Sequence, residues 1–341
     1  MQGLVYQGPQ RIDLLDIPEP RLADGEVLIR VKATGICGSD LHGYLGRTGR
    51  RVAPMVMGHE FAGIIEDVGG DTSTFRKDER VVVQPIVFCG DCEYCKAGHT
   101  NLCEKKRMFG VMDFNGSMAT YLGVPEKLLY RLPAGVGFAQ GAMVEPLAVA
   151  YSAAAKTTVE GKDVLIVGAG TIGLMLLQVV RLGKPRMCII VDVNTARLDL
   201  ATQLGATHVL NSSREDVLER INSLTGGKGV GIAFEAVGIT PTVQSALAPL
   251  KKRGECVWIG NSEKMITLNM QEVVSKAHRI LGTYAYTHEE FGRALDLIAS
   301  GGMVLDPLIS RIVPLAEGPE MFRLQTENPG SLIKIILTDG R

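Results

Sequence analysis

The chain has 341 residues, 46% hydrophobic and 21% charged, with 36 Lys and Arg against 37 Asp and Glu and a formal net charge of −1. That length exceeds one ordinary core and suits two domains, and the balanced charge excludes both a disordered chain and one that grips nucleic acid through a broad basic surface. Residues 1–15, MQGLVYQGPQRIDLL, hold no basic stretch leading into an apolar run, so no secretory signal is read and a reducing cytoplasmic setting is expected.

Up to about residue 135, short β-branched runs (EVLIRVKATG, FAGIIEDVGG, RVVVQPIVF) alternate with Gly, Pro and Asp turns, which predicts an antiparallel β-rich unit. Within it, GICGSDLH carries Cys37, Ser39, Asp40 and His42, and MGHEFAG carries His59 and Glu60. A cysteine and a histidine 22 residues apart are by themselves commonly core residues. With a carboxylate beside them, they make a thiolate–imidazole–carboxylate set that leaves a zinc ion an open position, as catalysis requires. Ser39 also reads as a turn-capping hydroxyl and His42 as an exposed imidazole. The loop GRTGRR (46–51) follows, and Arg47, Arg50 and Arg51 read as a solvated run, with phosphate recognition as the alternative.

Four cysteines fall in FCGDCEYCKAGHTNLC: Cys89, Cys92, Cys95 and Cys103, separated by two, two and seven residues. One looping segment with that spacing directs four thiolates at a tetrahedral zinc and leaves no room for substrate, so the site is structural. Two disulfides are disfavoured in a reducing compartment, and an iron–sulfur cluster would call for a redox partner that nothing else in the chain implies.

From about Glu145 the texture changes to strand–helix alternation: DVLIVGAG, MCIIVDV, HVLN, GIAFEAVG and ECVWIG, with helices ending near Leu182, over TARLDLATQLG, near 214–225 and near 241–249. Repeated βα units predict a parallel sheet covered on both faces. The apolar run 164–180 is seventeen residues long and interrupted by glycines; a membrane span needs about twenty. A buried strand, a tight turn and an apolar helix are expected instead. In that turn Gly168, Gly170 and Gly173 form a G-x-G-x-x-G pattern, with Thr171 and Ile172 leading into the helix, and Asp192 ends the next strand nineteen residues past Gly173. This is the pattern of a dinucleotide site: the glycines admit the pyrophosphate to a helix N-terminus, and the acid takes the ribose hydroxyls while repelling a 2′-phosphate. NAD is therefore expected over NADP. Arg197 either covers the adenine or is a solvated helix charge. FEAVG (234–238) and VWIG (257–260) end later strands on the same edge, as cofactor-facing or ordinary turns.

Thr287 and Glu290 are spaced as a capping box for a helix over HEEFGRALDLIASGG, and the terminal strands ISRIVPL and SLIKIILT share the texture of the first domain. The parallel-sheet domain is thus read as an insertion, with boundaries at 1–148, 149–286 and 287–341. Glu145, in MVEPLAV, stands where the first domain gives way to the second, either as a helix-start charge or as a further ligand.

Taken in order, GICGSDLH, GHEFAG, the four-cysteine lobe, EPLAV and VGAGTIG make the whole chain resemble the zinc-dependent medium-chain dehydrogenase/reductase family, in its sorbitol (polyol) dehydrogenase-like branch. The resemblance implies an α/β fold with a Rossmann NAD domain inserted into a GroES-like catalytic domain. It implies two zinc ions per chain, with Cys37, His59 and Glu60 matching the catalytic zinc motif and Glu145 the acid that binds the metal or its water. Ser39 and His42 match the family's proton relay. The implied activity is hydride transfer between NAD and a secondary alcohol, whether a polyol, a sugar alcohol or its phosphate; oxidation of L-threonine at its 3-hydroxyl and a non-catalytic NAD- or zinc-binding role are the alternatives. The implied partners are a small alcohol and further copies of the chain, as dimer or tetramer, with neither nucleic acid nor membrane. One departure is RKDERV (76–81), where members carry glycine before the aspartate; Asp78 tolerates a left-handed backbone, so only a local change of turn is expected.

Overall fold

The computed structural model describes residues 1–70, 74–328, 330 and 332–340. Its chain divides into two units, Met1–Glu145 with Thr287–Arg341, and Pro146–Tyr286. The helix Val144–Ala154 crosses the first boundary.

Period-two burial organises the first unit. Along Glu26–Gly35, Val27, Ile29 and Val31 are buried while the residues between them are partly exposed, the alternation of a strand with one face on a core. This strand is central to a seven-stranded sheet that runs Leu129–Arg131, Arg80–Val83, Glu60–Val68, Glu26–Gly35, Lys334–Thr338, Ile309–Pro314, with Tyr121–Pro125 also pairing to Glu26–Gly35. Its register sets Gly35 opposite Glu60 on one side and Ile336 on the other. The last strand of the chain is therefore hydrogen-bonded to one of the first.

Between the two terminal strands lies a helix that the sequence pattern did not announce, Gly318–Glu327. It buries Met321 and Phe322 in a core shared with Leu4, Met57 and Ile335, and Phe322 lies 5.4 Å from the ring of Tyr44. Each such side chain removed from water contributes roughly 1.5–3 kcal/mol. Asp78 takes the left-handed backbone, with φ 69°. Thr287 and Glu290 cap the helix His288–Ala299 reciprocally: the Glu290 N–H donates to Thr287 Oγ1 at 3.2 Å and the Thr287 N–H to Glu290 Oε2 at 2.7 Å.

The second unit is built on six parallel strands: Asp163–Val167, Met187–Asp192, His208–Asn211, Val230–Glu235, Leu250–Trp258 and Arg279–Gly282. Numbered by chain position they lie in the order 3-2-1-4-5-6, the doubly wound arrangement that reverses direction at its first strand. The apolar run 164–180 splits as its glycines require, into the buried strand Asp163–Val167 and the helix Thr171–Leu182. Among the described residues no helix is long and apolar enough to cross a membrane.

Candidate active site

Cys37 is the N-cap of the helix Gly38–Tyr44, with extended backbone at φ −87° and ψ 152°. Its Sγ accepts from the Ser39 N–H at 3.5 Å, and Asp40 Oδ2 accepts from the Cys37 N–H at 3.2 Å. The helix follows directly on the strand Glu26–Gly35, and Gly35 is paired with Glu60. Strand register thus closes the gap in sequence: one donor atom each from Cys37, His59 and Glu60 fall within 4.8 Å of one another. Backbone pairing steadies the approach to His59, since the Ser117 N–H donates to Gly58 O and the Met118 N–H to Met57 O.

Charges around these donors are dense and buried. Both Glu60 oxygens accept from Lys334 Nζ, at 2.8 and 2.6 Å, and the same ammonium donates to Ile36 O at 3.1 Å. Burial alone would lower the Lys334 pKa, but Glu60, with smaller contributions from Cys37 and Glu145, reverses this and raises it. Loss of solvation, followed by the negative charges of Glu60, Asp40 and Glu145, pushes the Cys37 thiol up to about 12. With Lys334 offsetting the carboxylates only in part, the thiol stays protonated until a metal cation binds it. Together with an imidazole and a carboxylate, it is a donor set that fits zinc. His59 Nδ1, buried without a hydrogen bond, faces Asp40 Oδ1 at 3.6 Å and leaves the opposite ring nitrogen for a metal. Glu145, buried in the first turn of its helix, stands outside this tight triad.

Ser39 and His42 lie three residues apart on the helix that Cys37 caps and so share a face. Ser39 is exposed and His42 half-buried. Burial, and then the nearby Arg47 charge, hold the His42 pKa below its ordinary value. The three loop arginines do not act as one solvated or phosphate-facing group. Arg47 and Arg50 are exposed, whereas Arg51 is buried with its Nη2 on Asp40 Oδ1 at 2.7 Å. For Asp40, burial raises the pKa, but the nearness of His59 and of the Arg51 guanidinium, with hydrogen bonds from Arg51 and the Cys37 N–H, outweighs it, and the net shift is downward. Neither Lys334 nor Arg51 could be placed from sequence. Each meets its partner only through tertiary packing.

In the four-cysteine lobe all thiols are free. Cys89 Sγ lies 3.9 Å from Cys95 Sγ and 3.5 Å from Cys103 Sγ. A disulfide needs about 2.05 Å, while four sulfurs about 2.3 Å from a central zinc stand about 3.8 Å apart. Backbone amides support the cluster, with the Cys89 N–H on Cys103 Sγ at 3.3 Å and the Cys92 N–H on Cys89 Sγ at 3.4 Å. Hydrogen bonds from the Cys95 and Glu104 backbones hold the Cys92 thiol down to about 6.

The glycine turn of the second unit is equally specific. Gly168 has φ 102°, and a Cβ on Gly173 would sit 1.8 Å from Gly168 O, so strand and helix meet only because both residues lack side chains. Asp192 Oδ2 accepts from the Ala169 N–H at 2.7 Å and Oδ1 from the Asn194 N–H at 2.8 Å, which fastens the acid to the turn. Thr171 and Ile172 open the helix, half-buried, and the Arg197 N–H donates to the Asn194 cap of the next helix. One contributor escaped the sequence reading. Glu235 is fully buried, and its carboxylate accepts from the N–H groups of Val237 and Gly238, while its own carbonyl accepts from Ile259 and Gly260. FEAVG and VWIG are thereby tied into one rigid strand-end.

Comparison with known proteins matches residues 23–134 to the alcohol dehydrogenase GroES-like domain and residues 171–300 to the zinc-binding dehydrogenase domain. The chain is 31% identical over 346 residues to sorbitol dehydrogenase of Bacillus subtilis, covering 100% of this chain and 98% of that one. It is 33% identical over 344 residues to D-arabitol-phosphate dehydrogenase of Enterococcus avium, covering 99% and 97%. Among solved structures, an Escherichia coli oxidoreductase/dehydrogenase of unknown specificity superposes with a TM-score of 0.93 at 30% identity, over 99% of this chain and 98% of that one. A β-rich domain interrupted by a doubly wound parallel sheet is the architecture of a zinc- and NAD(P)-dependent alcohol dehydrogenase. The chain belongs to the zinc-dependent medium-chain dehydrogenase/reductase family, in its polyol dehydrogenase-like branch.

Proposed function

We propose that the protein oxidises a secondary hydroxyl of a polyol or sugar alcohol, free or phosphorylated, with NAD as acceptor. The observation that carries this reading is the convergence of Cys37, His59 and Glu60 donors within 4.8 Å, beside a helix that presents Ser39 and His42 on one face. These three residues would hold the catalytic zinc, with Glu145 adjusting the charge around them, while Cys89, Cys92, Cys95 and Cys103 would hold the structural one. When bound, the catalytic zinc supplies the Lewis acidity that makes an alcohol proton labile near neutral pH, and nicotinamide accepts the hydride. The chain's own residues do the rest. Ser39 takes the substrate proton as it passes its own toward His42, whose pKa burial and Arg47 hold below its ordinary value. Gly168, Gly170, Thr171, Ile172 and Gly173 receive the pyrophosphate, Asp192 selects the unphosphorylated ribose, and Arg197 lies along the adenosine. The names of the relatives, sorbitol and D-arabitol-phosphate dehydrogenase, support the substrate class.

Seven free cysteines accord with a reducing, cytoplasmic compartment. The parallel sheet ends in the edge strand Arg279–Gly282, preceded in the chain by the helix Met270–Ser275 with its exposed Met270 and Val274, which supports self-association. The deciding experiment follows nicotinamide absorbance with a panel of polyols, polyol phosphates and L-threonine. Turnover confined to polyols or their phosphates, with NAD well ahead of NADP, is expected; turnover of L-threonine alone would assign the other reaction.

A further inference from the structure

We infer that Arg51 is a positioning residue for proton transfer, polarising the Ser39 hydroxyl while it is clamped on Asp40; this rests on the assignment of Ser39 to the proton relay. Nη2 of Arg51 donates to Asp40 Oδ1 at 2.7 Å and reaches Ser39 Oγ at 3.4 Å, and Nη1 donates to Arg50 O at 3.2 Å. The side chain is buried, with 2% of its surface exposed, and Asp40 is fully buried. Space for it is built into the helix. A Cβ on Gly43 would meet Arg51 Cγ at 2.4 Å, so a glycine at this turn lets the arginine stem cross.

A guanidinium sealed beside a candidate cation site is electrostatically unfavourable unless an acid offsets it, and Asp40 does so. Neutralising Asp40 alone would need no more than a lysine. The planar fork can hold a carboxylate and still present a donor edge to a second acceptor, which a point-like ammonium on a flexible stem does poorly. Ser39 Oγ has two lone pairs and one proton. With one lone pair turned toward Arg51, the other accepts the substrate proton while the hydroxyl proton leaves toward His42; serine ends the cycle as it began. Partial negative charge on Oγ during that exchange is what the guanidinium stabilises.

The test is a double-mutant cycle of R51K and S39A in the zinc-loaded enzyme, read by kcat, KM, the solvent deuterium isotope effect, zinc content and NADH affinity. Arg51→Lys should keep two zinc ions, NADH binding and KM, lower kcat by about tenfold, and raise the solvent isotope effect as proton transfer becomes more limiting. Once Ser39 is alanine, Arg51→Lys should change kcat by less than about twofold. Equal losses from R51K in the presence and absence of the Ser39 hydroxyl overturn the inference and place Arg51 in support of Asp40 alone. A fully active S39A would instead overturn the relay assignment on which it rests. Should R51K fold poorly, Gly43→Ala shifts the arginine stem and leaves every charge in place. It should raise the solvent isotope effect in the same direction, and an unchanged effect overturns the inference.

Discussion

Glu60 and Lys334 hold opposite charges out of water, so removing one strands the other. Lys334→Met should cost about 3–5 kcal/mol, whereas Glu60→Gln with Lys334→Met, which removes both members of the pair, should cost much less; urea denaturation of protein with no metal at Cys37, His59 and Glu60 measures both. His42 gives a prediction in pH. Its pKa lies below the ordinary value because burial and Arg47 oppose protonation, so the neutral base persists somewhat below pH 6.5. Removing the Arg47 charge in Arg47→Gln raises the His42 pKa, and the acid limb of kcat/KM should move to higher pH with the alkaline plateau unchanged. The same shift has a stability sign: the unfolded chain binds the His42 proton more readily, so stability from this group is present above the unfolded pKa and lost as pH falls. Cys37, His59, Glu60 and the four lobe cysteines were legible because unlike donors recur there at short, chemically meaningful spacings. Lys334 was not. It sits in SLIKIILT, where a lone cation reads as strand decoration, and its partner is 274 residues away. Arg51 was hidden by its neighbours, two exposed arginines in the same loop.

Each metal constellation belongs to a different kind of element, and that separates their roles. The lobe 89–103 holds little regular structure beyond the short helices Glu93–Lys96 and Thr100–Leu102; on the proposed assignment its shape would depend on the ion. Cys92→Ser should lower bound zinc from two ions to one and reduce the melting temperature. Cys37 caps a helix already anchored by a seven-stranded sheet, so Cys37→Ser should abolish turnover while leaving NADH binding and most of the melting temperature intact. Metal analysis, calorimetry and ligand fluorescence distinguish the two patterns. The glycine turn is the third such element. Asp192→Ser should weaken NAD, through lost hydrogen bonds to ribose and to the Ala169 and Asn194 amides, yet narrow the preference over NADP; the ratio of kcat/KM values for the two cofactors checks it. At this scale the parallel strands could be read directly, because strands buried on both faces leave continuous apolar runs. The helix Gly318–Glu327 could not: it buries only Gly318, Met321 and Phe322, too few for a period to stand out.

At the scale of the molecule, the unpaired edge of the parallel sheet and its exposed methionines predict association. Met270 and Val274 lie one turn apart on Met270–Ser275, 70% and 68% exposed, an apolar pair that association would take out of water. Replacing both with glutamate should shift sedimentation toward the monomer, and unchanged sedimentation would place the interface elsewhere. The order of the chain also carries a consequence in time. Pro146–Tyr286 is continuous and can fold as soon as it leaves the ribosome, whereas the sheet around Glu60 lacks a strand until Lys334–Thr338 emerges. Because Lys334 follows Glu60 at a separation of 274 positions, synthesis at about 5–20 residues per second leaves the acidic pocket without its lysine for about 15–55 s. During that interval Glu60 stands without the Lys334 ammonium, and of the two buried cations, Arg51 and Lys334, only Arg51 is already synthesised, so the charge balance around Cys37, His59 and Glu60 is completed only when translation is nearly over.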